Sequence, residues 1–407
     1  MKKAILLLGM TIFTVGILFL RNADADTVLI KQQVQLDKLI KDTEELQKEE
    51  PETLIGTQSE EATEQDITIL AEVESASCIT FLRLSLEEQK VYAEILSSLL
   101  GLEKETTLST KDTSLIDKAF QCVMLDHPEI FYVDGYKYTE YSSNEVVEKV
   151  VFAGNYIYDT DEIRSRQEKI VDAAAQIVAG APDTEDEYEK VKYVYETIIQ
   201  NTEYDTASVD NQNICSVFLN GRSVCQGYAK ALQYLLREMG MDAALVTGTV
   251  REGDGHAWNL VSVNDSWYYL DATWGDAFYL FGEEQKQPQT SSVNYDYLCV
   301  TTKQIEQTHV MNMPVTLPEC TSLSDNYYVR EGLYFEQYEE TRIQELFAKA
   351  AEEGKETITL KCSDSIVYDS VCTELLGNQK IFDFIKTGEG SIAYTDNEEQ
   401  YSITFWL

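Results

Sequence analysis

Ser223-Val224-Cys225-Gln226-Gly227-Tyr228-Ala229-Lys230 opens the stretch whose reading decides the fold. Asp254-Gly255-His256-Ala257-Trp258-Asn259 follows, and Tyr269-Leu270-Asp271-Ala272-Thr273-Trp274-Gly275-Asp276 closes it. Val224, Tyr228, Leu232, Leu235, Leu236 and Met239 recur at helical spacing, and Gly240 stands where a helix C-terminus takes glycine. The spacing predicts a helix of about four turns with Cys225 in its first turn. Unpaired N–H groups and the helix dipole favour negative charge there. With an imidazolium nearby, such placement lowers a thiol pKa from about 8.5 towards about 3.5–7.5. The same N–H groups are placed to stabilise an oxyanion.

Downstream, Asp242 to Val250 reads as a strand and Arg251 to Gly255 as a loop. His256 begins an alternating strand with Trp258, Leu260 and Ser262 on its face. Asn264-Asp265 is a turn signal, and Trp267 to Thr273 returns as a second strand. In a two-residue hairpin Val263 faces Ser266, which sets His256 opposite Thr273 and makes Asp271 its diagonal neighbour. A slip of one residue would send the two side chains to opposite faces. Taken singly, each residue has an ordinary explanation: a small core cysteine, a structural histidine, a turn or cap aspartate. Together they read as a thiol nucleophile, its base, and a carboxylate that orients the base. A metal site from Cys225, His256 and Asp271 lacks a second ligand cluster, so neither metal nor cofactor is expected. The other histidines carry less: His127, before Pro128, reads as a helix end, and His309 lies in a polar stretch.

Working outward, the chain reads as α+β throughout. Ser85-Leu86-Glu87-Glu88 is a capping box whose helix turns Leu86, Tyr92, Ile95, Leu96 and Leu99 inward. A helix from Ser114 to Leu125 stops ahead of Pro128. Strands are expected over Ile130–Tyr138 and Val146–Tyr158, and a helix over Asp161–Val178 ending at Gly180-Ala181-Pro182. Thr184-Glu185-Asp186-Glu187 reads as a second capping box, opening a helix with Tyr188, Val191, Val194, Tyr195, Ile198 and Ile199 inward. Beyond Cys320, strands are expected over Tyr327–Phe335, Thr357–Cys362 and Ser402–Leu407. Helices are expected over Glu339–Glu353 and near Val371–Leu376.

At the start, Lys2 and Lys3 precede an apolar run from Ala4 to Leu20, and Ala23-Asp24-Ala25 offers a small-x-small cleavage site. This reads as a signal peptide or an N-terminal membrane anchor over 1–25, with the body exported to the cell surface or beyond. Residues 26–75 read as an acidic flexible linker, 76–182 as an N-terminal α+β module, 183–318 as the core, and 319–407 as a C-terminal α/β unit. Lys and Arg total 32 against 71 Asp and Glu, a net charge of −39. So acidic a surface repels nucleic acid and anionic lipid, which leaves the membrane reachable only through the N-terminal segment. The eight cysteines show no paired short spacing, and they read as mostly buried free thiols.

Val224-Cys225-Gln226-Gly227-Tyr228-Ala229, Gly255-His256-Ala257-Trp258-Asn259 and Asp271-Ala272-Thr273-Trp274 resemble the core of the transglutaminase-like superfamily, relatives of papain-type cysteine proteases. The resemblance runs from about Thr184 to about Val310. Asp126-His127-Pro128-Glu129-Ile130-Phe131 also resembles a segment ahead of this core in exported bacterial members. The resemblance implies a helix bearing the cysteine packed on an antiparallel sheet bearing the histidine and aspartate. It further implies Cys225 as nucleophile, His256 as base and acid, and Asp271 as the residue orienting it. The implied chemistry is acyl transfer from protein or cell-wall peptide amides through a thioester, to an amine or to water. The family also holds members that keep the fold without activity, so a silent surface-binding protein is the alternative. No papain-type oxyanion glutamine precedes the cysteine clearly; Gln212 and Gln226 are the candidates, with Trp258 and Trp274 as supports.

Overall fold

The computed structural model describes residues 78–250, 253–276, 293–385 and 391–407. The expected N-terminal targeting segment and all of the acidic linker lie outside the described residues, as do Arg251, Glu252 and most of the loop between Asp276 and Asn294. Among the described residues no helix is long and apolar enough to cross a membrane. Contacts divide the chain into two units. One runs to Arg164 and takes in Arg237–Gly240; the other holds Ser165–Leu236 and Met241–Leu407.

In the first unit Ser85 caps α1 (Leu86–Leu100) with a complete capping box to Glu88. Tyr92, Ile95, Leu96 and Leu99 are buried as expected, whereas Leu86 is 77% exposed. It stands directly behind the cap, before the helix meets its neighbour. After β1 (Thr106–Leu108), Asp112 caps α2 (Thr113–Asp126), which ends at His127 ahead of Pro128. β2 (Val133–Ser143) and β3 (Val146–Tyr156) complete an antiparallel sheet in the order β1-β3-β2. The carboxylate of Asp126 is sealed inside this unit. It accepts from Thr80 Oγ1 at 2.5 Å, Phe81 N–H at 3.0 Å and Tyr92 O–H at 3.2 Å.

The second unit begins with α3 (Thr160–Ala179), whose first residues fall before its boundary, and α4 (Glu187–Asn201). All six residues expected to face inward from α4 are buried. The capping box expected at Thr184 does not form. Asp186 is the cap, accepting from Tyr188 N–H, while Thr184 Oγ1 accepts from Asp186 N–H in a tight turn before it. A carboxylate beside the helix dipole displaces the hydroxyl two residues upstream.

α5 (Cys225–Glu238) ends as the glycine signal demands, with Gly240 at φ +76°. β4 (Ala243–Val250), β5 (Asp254–Val263) and β6 (Ser266–Leu270) follow, and β7 (His309–Met311) joins the far side in an antiparallel sheet ordered β6-β5-β4-β7. Asn264 and Asp265 both take left-handed φ values, +47° and +63°, the conformation a two-residue hairpin matched to strand twist requires. Val263 pairs with Ser266, as the two-residue turn predicts. β5 departs from its expected alternation, being buried on both faces from His256 to Val261. Asn259 Nδ2 donates to Ala229 O of α5, while the His256 and Trp258 rings stack with one another. Gly248 in β4 has no substitute, since a Cβ there would stand 2.0 Å from Val310 O and 2.8 Å from the Trp258 ring. Its missing side chain lets β7 dock.

The strand expected to run to Thr273 stops at Leu270, because Asp271 caps the short helix α6 (Ala272–Gly275). Further on, the expected strand Tyr327–Phe335 breaks up. Asn326 caps a helical turn over Tyr327–Arg330, Gly332 ends it at φ +71°, and only β8 (Tyr334–Phe335) pairs. α7 (Glu340–Glu352), β9 (Thr357–Cys362), α8 (Ser365–Cys372), β10 (Tyr394–Asn397) and β11 (Ser402–Trp406) complete the chain. Their sheet runs β8-β9-β11-β10, over a core that includes Phe335, Phe347, Leu360 and Phe405. The short helix expected near Val371–Leu376 is the end of α8 with a π-turn over Thr373–Gly377, and β10 has no counterpart in the expected elements.

Candidate active site

Cys225 is the first residue of α5 and is partly exposed. Gly227 and Tyr228 N–H groups fold back onto Val224 O. The Cys225 and Gln226 N–H groups make no hydrogen bond among the described residues. They are the orphan donors of a helix start, beside the sulfur. All eight cysteines are free thiols, and six are buried. Burial pushes the Cys122, Cys320 and Cys362 thiols up to about 12 and that of Cys215 up to about 11, while Cys299 rises further.

His256 rises from β5 into the same place. Its Nε2 lies 2.7 Å from Asp271 Oδ2, so its other ring nitrogen, Nδ1, remains for the hydrogen bond with the Cys225 thiol. Burial opposes a charged imidazole. The Asp271 carboxylate and the Cys225 thiol outweigh burial and push His256 up to about 10. In the same way, burial opposes charge on Asp271, yet His256 first and His309 after it hold the carboxyl well below the usual carboxylate range. The diagonal hairpin contact anticipated for Asp271 is replaced by a cap. Oδ1 accepts from Thr273 and Trp274 N–H at 2.8 and 3.1 Å, which aims Oδ2 at the imidazole. The backbone N–H of Asp271 donates to Tyr297 O at 3.0 Å.

The structure also brings in His309, a residue the sequence reading passed over. Its Nε2 is 3.0 Å from Asp271 Oδ2 and its Nδ1 is 2.8 Å from Thr308 Oγ1, with the ring fully buried. No local pattern announces it: β7 is three residues long and reaches Asp271 only because it pairs with β4. Trp258 and Trp274 wall the group, each with its ring centroid 6.0 Å from that of His256 and 4.9 Å from that of His309. Gln226 is partly buried in the first turn of α5, whereas Gln212 is exposed; neither side chain makes a hydrogen bond among the described residues. His256, Asp271 and His309 present one ligand atom each within 4.8 Å of one another. Both Nε2 atoms stand at N–H···O distance from one oxygen, and an ion at about 2.0–2.2 Å would have to displace both bonds.

A partly exposed thiol at a helix start, an imidazole beside it, and a locked carboxylate behind the imidazole are the parts a thiol nucleophile and its base require. Residues 171–272 match the family model of the Transglutaminase-like superfamily. That stretch therefore resembles a transglutaminase-like core. Solved structures were found with similarity to parts of the chain. A Cytophaga hutchinsonii protein proposed to be a cysteine protease is 19% identical over 34% of this chain and 61% of its own, at a TM-score of 0.23. A TGase is 16% identical over 46% and 55%, at 0.27. The periplasmic domain of TgpA from Pseudomonas aeruginosa is 16% identical over 35% and 63%, at 0.22. The chain therefore spans less than two thirds of each of these proteins. No curated protein matches it. Cys225, His256 and Asp271 fall inside the transglutaminase-like match, and His309 falls outside it.

Proposed function

We propose that this chain is an exported, cysteine-dependent acyl transferase or amide hydrolase that works through a thioester on protein or cell-wall peptide amides. The observation that carries the reading is the His256 imidazole held between the Cys225 thiol and the Asp271 carboxylate. In the forward half-reaction the Cys225 sulfur, its proton held on His256 Nδ1, attacks the amide carbonyl as a thiolate, forming a C–S bond. The N–H groups of Cys225 and Gln226 are the candidate donors to the oxyanion. His256 Nδ1–H then protonates the departing amine as the C–N bond breaks. An amine or a water attacks the thioester, its proton passes to His256, and the Cys225 thiolate leaves. Asp271 stays a carboxylate throughout, keeping the imidazole in one orientation and stabilising its charged form.

A silent binding scaffold would have no use for a partly exposed Cys225 beside His256, or for a carboxylate locked by four hydrogen bonds behind it. Export is supported by the basic and apolar residues Lys2 to Leu20, and the net charge of −39 argues against nucleic acid as a partner. The test is incubation with a glutamine-containing peptide library, with and without an amine acceptor, read by mass. Amine incorporation identifies transfer, a one-unit gain deamidation, and fragments proteolysis. If none of the three depends on Cys225, the proposal fails.

A further inference from the structure

We propose that His309 is a positioning residue of this site, a second imidazole donor that clamps Asp271 Oδ2 so that the carboxylate stays aimed at His256 through both proton transfers. The inference rests on the thioester reading above and deepens it. Its basis is the arrangement of four donors on one carboxylate. Oδ1 takes the Thr273 and Trp274 N–H groups, and Oδ2 takes Nε2 of His256 at 2.7 Å and Nε2 of His309 at 3.0 Å. With both lone pairs of Oδ2 occupied, the carboxylate is barred from turning away as the imidazole beside it gains and loses charge.

His309 is itself held on every side, as a positioning group must be. Thr308 Oγ1 fills its Nδ1 at 2.8 Å. Trp258, Trp274 and Tyr297 surround its ring at centroid distances of 4.9, 4.9 and 5.8 Å. Val250↔His309 pairing fixes its backbone on the sheet. A histidine needed only for packing could be replaced by any flat ring of similar volume. This one instead spends both ring nitrogens on hydrogen bonds, one of them to the carboxylate that bonds His256. Donors of this kind behind a functional histidine–carboxylate pair commonly set the orientation of the groups that react.

The experiment measures the rate at which iodoacetamide alkylates Cys225 at about pH 6, by peptide mass spectrometry, in the full chain and in His309→Phe, His309→Gln and Thr308→Val. Near-ultraviolet circular dichroism checks that each is folded. Loss of a hydrogen bond to a charged group should slow Cys225 in His309→Phe by about ten- to a hundredfold. His309→Gln, which keeps an N–H donor within reach, should return to within a few fold of the parent. If His309→Phe does not fold, Thr308→Val takes its place, with an expected slowing of several fold because Nδ1 is released. A His309→Phe protein alkylated at the parental rate overturns the proposal, as does a His309→Gln protein no faster than His309→Phe. A parent protein whose Cys225 reacts no faster than its other thiols would instead sink the thioester reading itself, so the two failures are told apart.

Discussion

Each unit of this protein places a cysteine near a buried carboxylate and a histidine near that carboxylate, yet only one of the two arrangements suits nucleophilic chemistry. In the first unit Thr80 Oγ1 lies 3.2 Å from Cys122 O and 2.5 Å from Asp126 Oδ2. His127 turns elsewhere, to Tyr92 O–H at 2.9 Å and Glu129 Oε1 at 2.7 Å. Burial pushes the Cys122 thiol up to about 12, and the charge of Asp126 adds to it. In the second unit the imidazole stands between thiol and carboxylate, so the carboxylate acts on the thiol through a proton carrier. The same three residue types give a structural knot in one place and a candidate active site in the other. Order along the hydrogen-bond chain makes the difference, together with a helix start left partly open.

The sharpest break in that comparison is the pair Cys225→Ala and Cys122→Ala. The first should lower amide turnover by on the order of 10⁴-fold or more, and the second should leave it within about twofold. Mass-resolved turnover of a responsive library peptide decides it. Next comes Asp271→Asn against Glu129→Gln. Asp271→Asn should cost about 10⁴-fold in kcat and roughly 3–5 kcal/mol in stability, since it breaks a buried pair and weakens a cap. Glu129→Gln should leave kcat unchanged, as steady-state kinetics and urea unfolding of both variants would reveal.

The pH dependence of stability sharpens the same contrast. His256 is raised from 6.5 to about 10, so its contribution is full below about 6.5 and is lost as pH rises through about 10. Asp271 is lowered from 3.8, so its contribution is full above about 3.8 and is lost as pH falls through its lower folded value. The stability gap between the parent and Asp271→Asn should therefore be widest between about pH 4 and 6.5 and should shrink steadily towards pH 10. A gap that is flat across this range would show that the pair is not ionised. The smallest expected effect is at the hairpin. Asp265→Val forces a β-branched residue to φ +63° and should cost about 1–2 kcal/mol. Asp265→Gly should be neutral or stabilising, with thermal melts of both as the measure.

The parts legible in the sequence are those set by local chemistry. The α5 periodicity, Gly240 at its end and the turn residues Asn264 and Asp265 each specify backbone geometry within a few residues. That was enough to seat Cys225 at a helix start and to hold the register of β5 against β6. Asp271 met His256 by a different route than the hairpin predicted. A carboxylate followed by Ala272-Thr273-Trp274 is an N-cap signal, and it ended β6 at Leu270, three residues short of the expected Thr273. His309 was illegible because its meaning lies in a non-local pairing: three residues of edge strand, more than thirty positions from Asp271, with no periodicity to read. The Tyr327–Phe335 segment misled for the opposite reason. Its aromatic and β-branched content suits a strand, but the Asn326 cap and Gly332 impose a helical turn and a stop.

The docking of β7 against Gly248 has a practical consequence for anyone who dissects this chain. A fragment ended at residue 272, where the family match ends, would strip away the strand that covers Gly248–Val250. The N–H and C=O groups freed along β4 would form an open edge, and open edges recruit strands from other molecules. Such a fragment should aggregate on expression, whatever the state of its three motif residues. Any fragment meant to stay dispersed has to extend at least through Met311, so that the chain seals its own sheet.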